Sequence, residues 1–326
     1  MLSFACSLRQ EGSLLVYLAK RLAGLLVVLF IVAALVFFLT RLAPGDPAAV
    51  MLGDQATAAD IAKLRVTYGL DKPIPIQFGL WLGEVVRGNL GQSIFLQRPV
   101  TQALMERAEP TFFLALFALV IAAGIGLPAG IASAVWRGRK VDQIISGFAM
   151  LAANIPSFWL GLIFIQIFAV KLGWFPVAGY GAPDAGLFER LRHLILPAFV
   201  LGIVNSALIT RFARASMLDV LSADFVRTAR AKGISERQVV LRHAFGNALV
   251  PIITVLGLTL ALLIGGAVIT ETVFGLPGVG NLVVSAVLRR DYPVIQGALI
   301  AVAAIYVLIN LLIDIIYTIV DPRVRY

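Results

Sequence analysis

The sequence predicts an all-α polytopic membrane protein with six spanning helices, and three observations carry that prediction. Apolar residues make up 60% of the 326-residue chain and charged residues only 14%, with a mean hydropathy of +0.94. One globular core of this size could not hide so much apolar surface. The apolar residues gather in six long runs almost free of charge, of the length that crosses the hydrocarbon layer as a helix. The basic residues flank those runs, and the excess of positive charge falls on one side of the implied membrane.

The first run covers residues 22–40, nineteen uncharged residues preceded by Lys20 and Arg21 and closed by Arg41. A cleaved signal peptide has a shorter apolar stretch and a small-residue cleavage site, and no convincing site follows, so an uncleaved helix is expected. Residues 41–109 differ, with seven basic and seven acidic side chains and prolines at 44, 47, 73 and 75. They read as a small extramembrane region with short helices around 58–68 and 75–86. Runs at 110–136, 143–170, 194–210, 244–270 and 292–320 follow, and Asp314 is the only charge inside them. Pro128, Pro156, Pro197 and Pro251 fall in or beside these spans, where neighbouring helices can satisfy the freed backbone groups. Gly124, Gly126, Gly130, Gly257, Gly265 and Gly266 offer surfaces for close helix contact, which packing and a transport lining both need.

With the N-terminus inside, the cytoplasmic segments hold fifteen basic and six acidic residues, and the outer segments twelve and eleven. That bias sets both termini in the cytoplasm. The formal charge of +9 could suggest nucleic acid, but the basic residues are not interleaved with aromatics on a soluble face. A lipid bilayer with anionic headgroups is the expected partner instead. Cys6 is the single cysteine, so no intrachain disulfide or thiolate metal cluster can form.

No G-x-x-x-x-G-K-[ST] loop, H-E-x-x-H pair or G-x-S-x-G elbow occurs. His193 and His243 fall on opposite sides of the membrane in this topology. A catalytic chain is therefore not expected, nor a bound cofactor or metal. Asp314 could serve an ion relay, as a secondary carrier would need, or simply reach the interface or pair with a basic neighbour.

Residues 224–251, DFVRTARAKGISERQVVLRHAFGNALVP, form a basic island between two apolar runs. Ser222 can cap a first short helix with Asp224 in its first turn, and Gly233 suits the left-handed residue that ends it. Ser235 and Gln238 have capping-box spacing for a second helix, which continues into the next span.

Arg227-Thr228-Ala229, then Gly233, then a helix re-entering the membrane resembles the cytoplasmic "EAA" loop of ABC-importer permeases. Arg227 and Thr228 replace that pattern's first two letters, and its proline lies further on, at Pro251. Arg230-Ala231-Lys232-Gly233, Arg242-His243-Ala244 and Asn247-Ala248 resemble the dipeptide/oligopeptide/nickel branch. So do Ala43-Pro44-Gly45-Asp46-Pro47, Gly69-Leu70-Asp71-Lys72-Pro73 and Arg87-Gly88-Asn89-Leu90-Gly91 with Ser93. Ile155-Pro156-Ser157-Phe158-Trp159, His193-Leu194-Ile195-Leu196-Pro197 and the tail Asp321-Pro322-Arg323 complete the likeness from Lys20 onward.

The resemblance implies a type I ABC-importer permease fold, with a cytoplasmic N-terminus at 1–21 and a first transmembrane helix at 22–40. A periplasmic region at 41–109 and a five-helix transmembrane domain at 110–320 follow, with a coupling loop at 211–243 and a tail at 321–326. It implies two ATPase subunits, a periplasmic substrate-binding protein and a second, related permease as partners in the bacterial inner membrane. In the coupling loop, Phe225 is the candidate apolar anchor, and Arg227, Arg230 and Lys232 could meet acidic groups. Ala229 and Gly233 would permit close approach. The segment with Glu271, Phe274, Pro277 and Gly278 resembles the family's translocation mouth. There Glu271 would contact substrate or stabilise a gate, the plain alternative being a solvated acid at a helix-ending turn. Di- and oligopeptides are the substrates implied, with nickel chelates, glutathione and sugars as alternatives within the same fold.

Overall fold

The computed structural model describes residues 2–42, 57–67, 71–182, 184 and 186–320. The motifs at 43–47, Gly69 and Leu70, and 321–325 lie outside them. Regular structure among the described residues is helical, apart from one bridge between Gln92 and Pro99. The helices are α1 (Leu2–Leu42), α2 (Ala58–Thr67), α3 (Ile74–Val86), α4 (Val100–Val135), α5 (Lys140–Asn154) and α6 (Ser157–Phe164). They continue with α7 (Leu187–Leu221), α8 (Asp224–Ala231), α9 (Glu236–Gln238), α10 (Phe245–Val273), α11 (Val279–Leu288) and α12 (Tyr292–Val320). The chain divides into two compact units, one of Met1–Arg107 with Leu282–Leu308, the other of Ala108–Asn281 with Ile309–Arg325.

In the first unit α1 carries the first apolar run. Its Phe37, 1% exposed, packs at 5.3 Å from the Phe78 ring and 5.4 Å from Trp81, both on α3. Pro73 and Pro75 start α3, where a missing N–H costs nothing. Asn89 then closes the turn after α3, its side chain donating to Glu84 and accepting the Gly91 N–H. Ser93 donates to the buried Asp291 at 2.6 Å, which also accepts the N–H groups of Ile94 and Phe95. Arg289 stacks on the Phe95 ring, 3.5 Å from its centroid. The sequence motif ending at Ser93 is thereby tied to the start of α12, about two hundred residues on.

In the second unit α7 is central, packing along α10 and α5. Leu114 and Ala118 of α4, Leu194 to Leu201 of α7 and Leu263 and Ala267 of α10 share one core. Ala134, Ala213, Met217, Ala248 and Ile252 share the next. The pairings make α4 and α7 parallel and α10 antiparallel to both. Close approach depends on missing side chains: a Cβ at Gly126 would lie 2.8 Å from Ile209, and one at Gly130 2.7 Å from Ala213. Gly257 is equally tight against Ile313, whereas Gly124, Gly265 and Gly266 face open space. Only half of the glycines singled out from sequence therefore serve packing within this chain.

Among the described residues, five helices are long and apolar enough to cross a membrane. The sixth, expected as one run at 143–170, is broken: α5 and the helix from Ser157 to Lys171 meet at 96°. Pro156 is the cause, because its ring pushes Ile155 out of the helical region, to φ −78° and ψ 123°. The second half ends in a π-helical turn at Ile165–Lys171. Counting the bent pair as one span gives six.

Candidate functional site

The basic island folds as two short helices meeting at a glycine. Asp224 lies in the first turn of α8, where the helix dipole favours an acid. Ser222 does not cap α8: it ends α7, its hydroxyl donating to the Asp219 carbonyl at 2.8 Å, and Ala223 takes the cap position without a side-chain bond. At the other end Gly233 has φ +76°, with its N–H bonded to the Arg230 carbonyl and the Ile234 N–H to that of Ala229. This is a Schellman closure, completed by Ile234 packing beside Ala229. Ser235 begins α9, but its hydroxyl bonds the Gln238 side chain at 3.0 Å, so the pair meets through side chains alone. A π-helical turn at Val239–Ala244 leads from α9 into α10, and the loop is continuous with a span.

The two faces of α8 differ. Val226 is 0% exposed and packs with Ala229 and Val239 against Val220, Leu221 and Ile234. Burying the valine alone is worth about 1.5–3 kcal/mol. Ala229, expected at a partner surface, is turned inward, and its small size serves this internal packing. Phe225 stays 45% exposed, with Arg227, Lys232 and Gly233 also on the free surface. Arg230 forks onto Glu236 at 3.0 and 2.6 Å across the glycine turn. That pairing raises the guanidinium further above its ordinary range. Both partners are solvated, so the bridge adds no more than about 1 kcal/mol.

The second candidate segment follows α10 within the same unit. Glu271 is fully buried. Thr111 donates to one carboxylate oxygen at 2.6 Å, and the Asn281 N–H to the other at 2.9 Å. The Thr111 oxygen accepts the Val279 N–H in turn. The alternative of a solvated acid is thus corrected: the α10 C-terminus is covered by its own following segment, which folds back over the carboxylate. Gly278 leaves the room for this, since a Cβ there would displace the Glu271 carboxyl group. Phe274 is buried against Gly161 of α6, while Pro277 is exposed. The Phe274 carbonyl accepts the Gly179 N–H, binding the loop before α7 to this segment. In that loop Tyr180 donates to Glu109 at 3.0 Å, and Arg190 holds both oxygens of the same carboxylate. Burial first, then Glu109, pushes the Tyr180 phenol up to about 12.

Two polar centres escaped the sequence reading. Asp142, 5% exposed, receives Arg214 Nε and Nη2 at 2.8 Å each, together with the Ser133 hydroxyl and the Gly138 N–H. It clasps the α4–α5 turn onto α7, and removing one partner of such a pair costs about 3–5 kcal/mol. Its only sequence signal was an acid following Arg137, Arg139 and Lys140, which the charge count absorbed. Asp291 is the other centre. Asp314 is buried as well, at 6% exposure.

Comparison with known proteins places these sites in context. Residues 126–326 match the family described as binding-protein-dependent transport system inner membrane component, and residues 14–115 match the N-terminal model of the same kind of component. A probable peptide ABC transporter permease protein of Sinorhizobium fredii is 45% identical, over 95% of this chain and 99% of its own length. The glutathione transport system permease protein of Escherichia coli O6:H1 is 42% identical over the same shares. Among solved structures, the inward-facing MetNI methionine ABC transporter aligns with TM-score 0.57 at 19% identity, covering 68% of this chain and 97% of that one. At that identity the likeness speaks for the fold, which is that of an ABC-importer permease. Five or six apolar spans among the described residues, a loop continuous with one of them and two family models covering almost the whole chain agree: the protein belongs to the family of binding-protein-dependent transport system inner membrane components.

Proposed function

We propose that this chain is one of two different permease subunits of an ATP-driven importer of di- or oligopeptides, working with two ATPase subunits and a periplasmic binding protein. Both termini face the cytoplasm, residues 41–109 lie in the periplasm, and the loop at 211–243 is the cytoplasmic coupling loop. The observation that carries this reading is the two-faced α8. Val226 and Ala229 fix it to the end of a span, while Phe225, Arg227 and Lys232 are left for a partner. A helix so fixed transmits a push from an ATPase to α7 and α10 as a rigid body. The folded-back segment around Glu271, Phe274, Pro277 and Gly278 lies at the opposite end of α10 and serves as the outer gate. The peptide substrate is supported by the names of the relatives that align end to end.

The energy source is the first thing to test. Uptake by cells expressing the complete system is expected to stop when ATP is depleted with the proton gradient clamped, and to persist when the gradient is dissipated. The reverse pattern would make the chain an ion-coupled carrier. Mass spectrometry of the ligand that co-purifies with the cognate binding protein identifies the solute.

A further inference from the structure

Within the first unit, α3 packs against α1 at a level that its place between charged segments does not foretell. The Phe78 ring lies 5.9 Å from Phe30, 5.3 Å from Phe37 and 5.9 Å from Phe38, stacked on the last. Arg41 closes the apolar run of α1, and its guanidinium rests 5.1 Å from the Phe37 ring. Phe30 is seven residues, about 10 Å of helix, further from Arg41 than Phe37 is. A ring that touches both lies inside the apolar run, beneath the charge that ends it. The composition of α3 suits such a place. No charged residue stands between Lys72 and Glu84, and both faces are apolar: Phe78 and Trp81 meet α1, while Ile74, Ile76 and Leu80 are exposed. A helix apolar all round belongs in a core or in a membrane, not at a water-facing surface.

We propose that α3 is sunk into the membrane leaflet at the C-terminal end of α1, with Ile76 and Leu80 against lipid acyl chains. Its free face continues the lipid-facing surface of a spanning helix. Phe38 is itself exposed and belongs to both surfaces, since it stacks on Phe78 and shares one face of α1 with the exposed Ile31. The charge-free part of α3 is about 15 Å long, half of what crossing the hydrocarbon takes, so the helix enters the leaflet and does not span it. Both of its ends return to polar groups. The Gln77 amide donates to the Lys72 carbonyl at one, and Asn89 and Arg87 donate to Glu84 at the other. Residues 41–109 thereby have one helix anchored in lipid. That this is the outer leaflet rests on the topology proposed above.

The test uses the assembled transporter with Cys6→Ser and, one at a time, Ile76→Cys, Leu80→Cys or the exposed Arg87→Cys, each labelled with bimane and reconstituted in vesicles. Phosphatidylcholine brominated along its acyl chains is expected to remove most of the emission at positions 76 and 80, and aqueous iodide to leave it. The reverse is expected at position 87. Iodide quenching at 76 and 80 equal to that at 87 places α3 in water and overturns the proposal. Shielding of both positions from lipid and iodide alike assigns the face to a protein subunit and also overturns it. The leaflet is read separately, with a membrane-impermeant maleimide applied to intact spheroplasts that carry Arg87→Cys. Labelling is expected. Labelling only after the membrane is broken refutes the periplasmic reading, whereas labelling of intact spheroplasts without lipid quenching at 76 and 80 refutes the embedded helix alone.

Discussion

Deleting residues 224–232 is expected to abolish ATP-driven uptake while the chain still inserts in the membrane. The deletion removes the whole of α8, and with it the free face that carries Phe225, Arg227 and Lys232. The spans keep their own cores, built from α4, α7 and α10, so insertion and helix packing do not depend on the loop. A gentler change separates docking from folding. Gly233→Asp places a side chain where φ is +76° and nothing lies within 4 Å of a Cβ, so only backbone strain, about 1–2 kcal/mol, is introduced. That strain opposes the Schellman closure and tilts α8. Uptake is expected to fall severalfold, with unchanged membrane levels by immunoblot and weakened retention of the ATPase subunit on purification. Normal uptake by the deletion variant would remove the loop from the mechanism.

Glu271→Ala is expected to give the second large effect. The carboxylate is the acceptor for Thr111 and for the Asn281 N–H, and it fills the space that Gly278 leaves open. Each buried donor that loses its acceptor costs about 1–3 kcal/mol, and the emptied volume adds to that. The thermal midpoint of the purified complex should drop by several degrees, and residues 274–281 should become accessible to limited proteolysis. Glu271→Gln keeps an acceptor and the volume and is expected to fall between wild type and alanine. If Glu271 met solute alone, both variants would lose transport with the midpoint and the proteolysis pattern unchanged.

Much of this fold was legible because membrane spans are written in composition. Runs almost free of charge located α1, α4, α7, α10 and α12, and the prolines at 73 and 75 located α3 within one residue. Gly233 was legible because only a left-handed residue closes α8. The break at Pro156 was harder, since a proline in a span is tolerated as a kink, and Pro128, Pro197 and Pro251 all lie inside unbroken helices. The cap assigned to Ser222 failed because α7 runs eleven residues past the apolar run and takes that serine for its own end. Burial of Glu271, Asp142 and Asp291 was invisible for a common reason. Their partners, Thr111, Arg214 and Ser93, are 72 to 198 residues away in sequence, and no local pattern announces such a pairing. The inward turn of Ala229 belongs to the same class, because a small residue on a short helix fits a packed face and a docking face equally well.

The claim that energy enters through α8 is tested most directly by placing a photo-crosslinking phenylalanine analogue at Phe225 in the assembled transporter. Capture of the ATPase subunit, with a yield that changes between nucleotide-free and ATP-bound states, is the expected result. Capture confined to lipid or to the permease subunits, in every nucleotide state, would contradict it.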